Sequence, residues 1–227
     1  MSNNSKEYEK VIDYICKLIE SGTVKCGDRL PTERALSATI GVGRNSIREA
    51  LRILDNMGIT VSRQGSGNYL ADNMGGKLAG VIDMMLLTQS ISPQEVRNFR
   101  CYMEVTVCNM ILDNPDGCAG LTEIPHILDR FQQSGNEDKV ELDRQFHYAL
   151  VNATGNRMMA LVMQGVMNVY RRWIDEVLRN AGECDWMPLH LAHRELYDAL
   201  IAKDRMAVIK AVNAHYKLVD QLSRKNK

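Results

Sequence analysis

The sequence predicts a mostly α protein in two parts: an N-terminal winged helix-turn-helix domain over residues 1–71 and a C-terminal all-helical antiparallel bundle over residues 78–227. Apolar residues recur at helical spacing along most of the chain, whereas strand-like composition is confined to 59–70, where it flanks a glycine-rich connection. Between the parts, Ala71-Asp72-Asn73-Met74-Gly75-Gly76-Lys77 is polar and glycine-containing, the composition of a linker, placed at 72–77.

In the N-terminal part, Ile47, Ala50, Leu51 and Leu54 line one face of a helix spanning roughly 45–54. The opposite face carries Arg44, Asn45, Arg48 and Arg52. Arginines at successive i,i+4 positions with an asparagine beside them can contact phosphates and make bidentate bonds to base edges in a major groove. Upstream, a helix over 32–40 turns Leu36 and Ile40 inward, with Thr32 as its N-cap, and Ile40-Gly41-Val42-Gly43 supplies a tight turn. Downstream, Gly58 ends the second helix, and Ile59-Thr60-Val61 and Asn68-Tyr69-Leu70 read as strands joined by Arg63 to Gly67. That tip, with Arg63, Gln64 and two glycines, can approach a phosphate backbone or minor groove closely. On an isolated helix the arginines would read as a solvated face; the order helix, turn, helix, wing favours DNA.

These residues resemble the GntR family of bacterial transcription regulators. The resemblance rests on Gly27-Asp28-Arg29-Leu30-Pro31-Thr32-Glu33-Arg34, on Gly41-Val42-Gly43-Arg44-Asn45-Ser46-Ile47-Arg48-Glu49-Ala50-Leu51, and on Gly58 with Arg63-Gln64-Gly65-Ser66-Gly67, and it spans most of residues 8–70. It implies that Arg34, Arg44 and Arg48 are the principal DNA contacts, with Asn45, Ser46, Gln64 and Gly65 nearby. Gly43 departs from the family pattern, which has Ser or Thr there, but glycine is a tolerable helix cap. The resemblance further implies a homodimer on palindromic double-stranded operator DNA, since a two-fold protein matches two related half-sites.

Charge is balanced, with 28 Lys+Arg against 28 Asp+Glu, and the first 77 residues carry a net of only +2, so the case for nucleic acid rests on placed arginines rather than bulk charge. No apolar run approaches the ~20 residues that span a bilayer, and Met1 to Lys10 is polar without a signal-peptide core; no membrane partner and a cytoplasmic location are expected. Cys16, Cys26, Cys101, Cys108, Cys118 and Cys184 form no CxxC pair or metal-ribbon spacing, so reduced thiols are expected.

Helices of the C-terminal part are expected at roughly 78–89, 94–113, 119–133, 137–153, 157–180, 186–202 and 204–224, broken at Ser92-Pro93, Asn114-Pro115-Asp116-Gly117, Ser134-Gly135-Asn136, Thr154-Gly155-Asn156 and Ala181-Gly182. The eight methionines from Met103 to Met206 are expected to fill core gaps. A second constellation lies in this bundle. Asp143 and His147 share a helix face with Val140 and Leu150; His193 is in line with Leu189, Leu196 and Leu200; His215 is in line with Val208, Val212 and Val219. Each histidine alone reads as a hydrogen-bonded core residue. Together with a buried aspartate, which is costly unless paired or coordinated, they read equally as ligands for Zn, Ni, Fe or Mn.

This half resembles the FCD domain of the FadR-type branch of GntR regulators. The resemblance rests on Asp143 and His147, on His193-Arg194-Glu195-Leu196-Tyr197-Asp198-Ala199-Leu200 and on Ala214-His215-Tyr216, with Gly155-Asn156 and Arg100-x-x-x-Glu104 also matching. It implies that Asp143, His147, His193 and His215 bind a divalent metal, Zn foremost, at the floor of an effector pocket. A metal with open positions beside the Arg100 guanidinium would receive a small carboxylate; the alternative is an internal Arg100 to Glu104 ion pair. Asn168 and Arg171 are placed on the same pocket by their helix, and His126 and His190 are expected at the surface. The absence of an H-E-x-x-H motif and the attached DNA-reading domain favour sensing over metal-dependent hydrolysis, so no enzyme activity is expected. The predicted function is a transcriptional regulator, a repressor by family habit, controlled by a carboxylate metabolite; the alternative is a metalloregulator in which the ion itself is the signal.

Overall fold

In the computed structural model, which describes residues 5–72, 75–114, 116, 120–179 and 182–225, the chain forms two compact units, Met1–Lys77 and Leu78–Lys227. Asn73 and Met74 of the expected linker, Pro115 and Gly117 of one expected break, Cys118, and Ala181 of another lie outside the described residues.

The first unit contains α1 (Ser5–Glu20), α2 (Glu33–Ile40), α3 (Arg44–Asn56) and the hairpin β1 (Thr60–Arg63) and β2 (Gly67–Leu70). Thr32 caps α2 as expected, its hydroxyl accepting the Ala35 N–H at 3.2 Å. Gly41 closes α2 in the left-handed conformation that the turn requires, its N–H bonded to Ser37 O. Gly43 starts α3 in an extended conformation without a side-chain cap. Ile47, Ala50, Leu51 and Leu54 are buried, and they meet Val11 and Ile15 of α1, Leu36 of α2 and Leu70 of β2 in one small core. The strands pair antiparallel from Thr60 with Leu70 to Arg63 with Gly67, leaving residues 64–66 as a three-residue tip whose Gly65 takes positive φ. Leu30 N–H donates to Asn68 O, and Leu70 N–H to Asp28 O, so 28–30 flank the hairpin through an isolated antiparallel bridge between Arg29 and Tyr69.

The second unit is all helical: α4 (Gly75–Leu87), α5 (Pro93–Asp113), α6 (Ile124–Gln133), α7 (Asn136–Ala153), α8 (Arg157–Arg179), α9 (Glu183–Ile201) and α10 (Arg205–Lys225). Helix α5 opens on a capping box between Ser92 and Glu95 with Pro93 in its first turn. Packing of α9 on α10, α6 and α8 on α7, and α10 and α8 on α5 encloses a core that includes Phe131, Phe146, Leu150, Leu196, Val212 and Tyr216.

Several boundaries depart from expectation. Gly75, Gly76 and Lys77, expected as linker, are the first turn of α4. Helix α6 starts at Ile124 rather than 119, because Pro125 suits a first turn, where no N–H is needed. Helix α9 starts three residues early, at Glu183, and tolerates Pro188 inside it. Of the methionines expected inside, Met163 and Met167 are buried, but Met158, Met187 and Met206 are exposed. No helix among the described residues is long and apolar enough to cross a membrane.

Ile47→Ala, which empties a fully buried site beneath the arginine face, is expected to cost about 2–5 kcal/mol, and Thr32→Ala, which removes one cap bond, about 1 kcal/mol. Urea unfolding followed by helix signal checks both; equal effects would contradict the packing described.

Candidate functional site

Two sites emerge. The first is the arginine face of the winged unit. Arg34, Arg44, Asn45, Arg48 and Arg52 are exposed, and Gln64 and Gly65 are exposed at the hairpin tip. Arg63 stacks its guanidinium over Tyr69 at 4.3 Å from the ring centroid. Arg48 Nε donates to Glu33 Oε2 at 2.9 Å, linking α3 to the start of α2. Ser46 stands apart from the expected contact set. It is 1% exposed, and its hydroxyl donates to Glu7 Oε2 of α1 at 2.9 Å, because position 46 falls on the flank of α3 that packs against α1.

The second site is inside the helical unit. Asp143 and His147 from α7, His193 from α9 and His215 from α10 are all buried, and one ligand atom of each lies within 4.8 Å of the others. His193 Nε2 is 3.3 Å and His147 Nε2 3.8 Å from Asp143 Oδ1. The imidazoles crowd together, with the His193 and His215 ring centroids 4.6 Å apart. Both His193 nitrogens, both His147 nitrogens and His215 Nδ1 are buried without a hydrogen-bond partner. A buried polar atom left unpaired costs about 1–3 kcal/mol, so a cluster of them is a poor structural device and a good ligand set.

Glu104, from α5, enters the sequence reading only as an alternative ion-pair partner of Arg100, and the structure places it in the cluster instead. Its Oε2 lies 2.8 Å from His147 Nδ1 and accepts the Tyr216 hydroxyl at 3.1 Å. No ion pair joins Arg100 to Glu104 among the described residues. The signal was present: Val107, Cys108 and Ile111, at i+3, i+4 and i+7, put position 104 on the buried stripe. Arg100 is itself buried, with its guanidinium 4.5 Å from the Tyr170 ring centroid and 5.8 Å from that of Tyr216, and its Nε has no hydrogen-bond partner.

Burial works against the charge on Glu104, but His147, Arg100 and His215 outweigh it and hold the carboxyl at about 2. Burial also opposes the Asp143 charge, and the neighbouring histidines likewise hold that carboxyl below its usual range. Burial pushes His193 down and His215 well down, keeping their nitrogens unprotonated near neutrality. Two carboxylates, neutral imidazoles and one guanidinium make an interior that favours an added cation.

Asn168 and Arg171 form no hydrogen bond or ion pair with this cluster among the described residues. Asn168 Oδ1 accepts the Tyr148 hydroxyl at 3.2 Å, and Arg171, about half exposed, pairs with Asp175 at 3.2 Å. His126 is exposed, but His190, also expected at the surface, is buried and stacks on Phe131 at 5.7 Å. It lies three residues before His193 and so shares that helix's inner face.

Residues 7–70 match the gntR family of bacterial regulatory proteins, and residues 95–218 match the FCD domain. The chain belongs to the GntR family. LutR of Bacillus subtilis (strain 168) is 24% identical over 213 residues, covering 90% of this chain and 95% of LutR. The Uxu operon transcriptional regulator of Escherichia coli (strain K12) is 26% identical over 229 residues, covering 95% and 86%. Among solved structures, Streptococcus agalactiae GntR superposes with a TM-score of 0.74 at 23% identity, covering 94% of this chain and 99% of that one. E. coli McbR/YncC gives 0.51 at 14% identity, covering 97% and 99%. This GntR protein is therefore a DNA-binding transcriptional regulator whose winged helix is followed by an FCD domain.

In chelator-treated protein, stability is expected to fall in two stages on acidification. Below pH 6.5 the unfolded chain protonates His193 and His215 while the folded chain resists, at up to about 1.4 kcal/mol per pH unit for each. Below about 4.5 the depressed Glu104 and Asp143 add a second loss in the same direction. Thermal unfolding from pH 8 to 4 checks this, and a flat profile through pH 6 would contradict neutral buried histidines.

Proposed function

We propose that this GntR regulator is a repressor of the FadR-type branch, acting as a cytoplasmic homodimer on palindromic operator DNA. In this reading residues 1–71 bind DNA and 78–227 bind the effector and dimerise, joined by 72–77, whose last three residues already belong to α4. Its signal is a small carboxylate received beside a divalent cation. The observation that carries the reading is the buried Asp143, His147, His193 and His215 set with its unpaired imidazole nitrogens.

Three imidazoles and a carboxylate suit Zn foremost, with Ni, Mn or Fe also accommodated. Bound there, the ion would supply positive charge and open coordination positions. The chain's own residues shape the rest. Glu104 Oε2 stands 2.8 Å from His147 Nδ1, a placement that favours Nε2 as the coordinating atom. Tyr216 fixes Glu104 in turn through its hydroxyl. Arg100, held between Tyr170 and Tyr216, presents a buried cation to a carboxylate. The lack of a hydrogen-bond partner at its buried Nε supports that role over an internal ion pair. Arg34, Arg44 and Arg48 are proposed as the principal DNA contacts, with Asn45, Gln64 and Gly65 beside them; the burial of Ser46 argues against a direct contact from its side chain. A carboxylate changes DNA affinity only by binding one arrangement of the protein more tightly than another.

Replacing His193 and His215 together with Ala is expected to abolish stoichiometric metal in purified protein while leaving a folded chain; retained metal would overturn the ligand assignment. Glu104→Gln is expected to weaken metal affinity about 10- to 100-fold with all four ligands intact. A thermal-shift screen of small carboxylates against metal-loaded and chelated protein tests the effector class, with about 2.7 kcal/mol of stabilisation at 100 times Kd. Shifts that need the metal support the carboxylate sensor. A large shift from metal alone, with none from any acid, favours the metalloregulator.

A further inference from the structure

We infer that Glu33 is a specificity-determining residue, which aims the Arg48 guanidinium at a base edge and keeps it off the phosphate backbone. The inference rests on the reading above that Arg48 contacts DNA.

Glu33 is the first residue of α2, and Arg48 lies early in α3, so the turn at 41–43 brings together two side chains that sequence separates. The bond between them uses Nε, the donor on the stem side of the guanidinium. Both terminal NH2 groups are left at the outer end of a side chain that is 64% exposed. Those are the groups that make the paired bonds to guanine O6 and N7. Among the described residues, no ion pair engages Arg34, Arg44 or Arg52, so Arg48 is singled out on this face. The other nearby carboxylate, Asp55, accepts the Ser62 N–H of β1 at 3.3 Å and is committed to the wing.

Fold stability does not account for the pair. An ion pair this exposed contributes little to stability, and a carboxylate on a DNA-facing surface repels phosphate. Its compensation is discrimination. An unanchored arginine reaches phosphates as readily as bases, whereas one held at Nε loses less freedom on meeting a guanine and is denied the nearby phosphates. Glu33 is thus a positioning residue, acting on DNA through Arg48.

The test uses the full-length protein and two duplexes of equal length, one enriched by the wild-type protein from a randomised library and one scrambled. The readout is the ratio of the two affinities by fluorescence anisotropy. Arg48→Ala is expected to lower that ratio by about 5- to 150-fold, the discrimination of one bidentate pair. Glu33→Ala is expected to lower it about 3- to 10-fold while binding to scrambled DNA tightens, a fraction of that same discrimination. Glu33→Gln, which keeps an acceptor for Nε, is expected to retain part of the ratio. In the double Ala variant, Glu33→Ala adds nothing to Arg48→Ala. If Arg48→Ala lowers the ratio and Glu33→Ala does not, the inference is overturned and the role of Arg48 stands. If Glu33→Ala weakens both duplexes equally and lowers the melting temperature, Glu33 serves the helix terminus and the inference is again overturned. If Arg48→Ala leaves the ratio unchanged, the reading of Arg48 falls and the inference with it.

Discussion

Two carboxylates, Asp143 and Glu104, are placed where water does not reach them, and the arrangement of the FCD domain follows from having to compensate them. An isolated buried carboxylate is too costly to keep charged, so each must meet donors or positive charge from neighbouring helices. Asp143 meets imidazoles from its own helix and from α9 and α10; Glu104 meets His147 and the Tyr216 hydroxyl, with Arg100 one turn away on its own helix. These demands fix more than distance. A one-residue rotation of α9 would swing His193 by about 100° and leave Asp143 facing hydrocarbon, so the polar cluster sets the register in which the apolar stripes of four helices pack.

The DNA-binding domain solves the opposite problem. Its charges stay in water and its core is small, built on Val11, Ile15, Leu36, Ile47, Ala50, Leu51 and Leu54, so that α3 is held from behind while its arginines remain accessible. Glycines at 41, 58 and 65 take the positive φ values that the tight turns between these short elements need. Among the described residues, the arginines proposed to meet DNA form no ion pair with this scaffold except at Arg48.

Much of this was legible in the sequence, and the reason is locality. The helix-turn-helix and wing are specified by residues a few positions apart, and Asp143 with His147 is an i,i+4 pair that one helical stripe reveals. His193 and His215 could be placed on inner faces by the same periodicity, but their meeting with Asp143 needed either the fold or a family resemblance. What periodicity could not supply was the choice among long-range partners. Glu104 looked like the companion of Arg100 because they are one turn apart, yet its carboxylate goes to α7 and α10. Ser46 sits among DNA-facing residues in sequence, but the helix turns it toward Glu7 of α1. His190 reads as polar until Phe131 of α6 is seen against it, and Arg171 takes its local Asp175 instead of reaching the Arg100 group.

The residues of the polar cluster are spread from Glu104, near the start of the FCD domain, to Tyr216, close to its end. This spacing makes the cluster a long-range feature of the chain. Helix pairs such as α6 with α7 can form from neighbouring sequence, but the cluster closes only when α10 arrives. Without α10 the cluster lacks His215 and the Tyr216 hydroxyl that meets Glu104. Residues distributed in this way cannot meet within any short stretch of chain, so the cluster exists only where α5, α7, α9 and α10 are packed together.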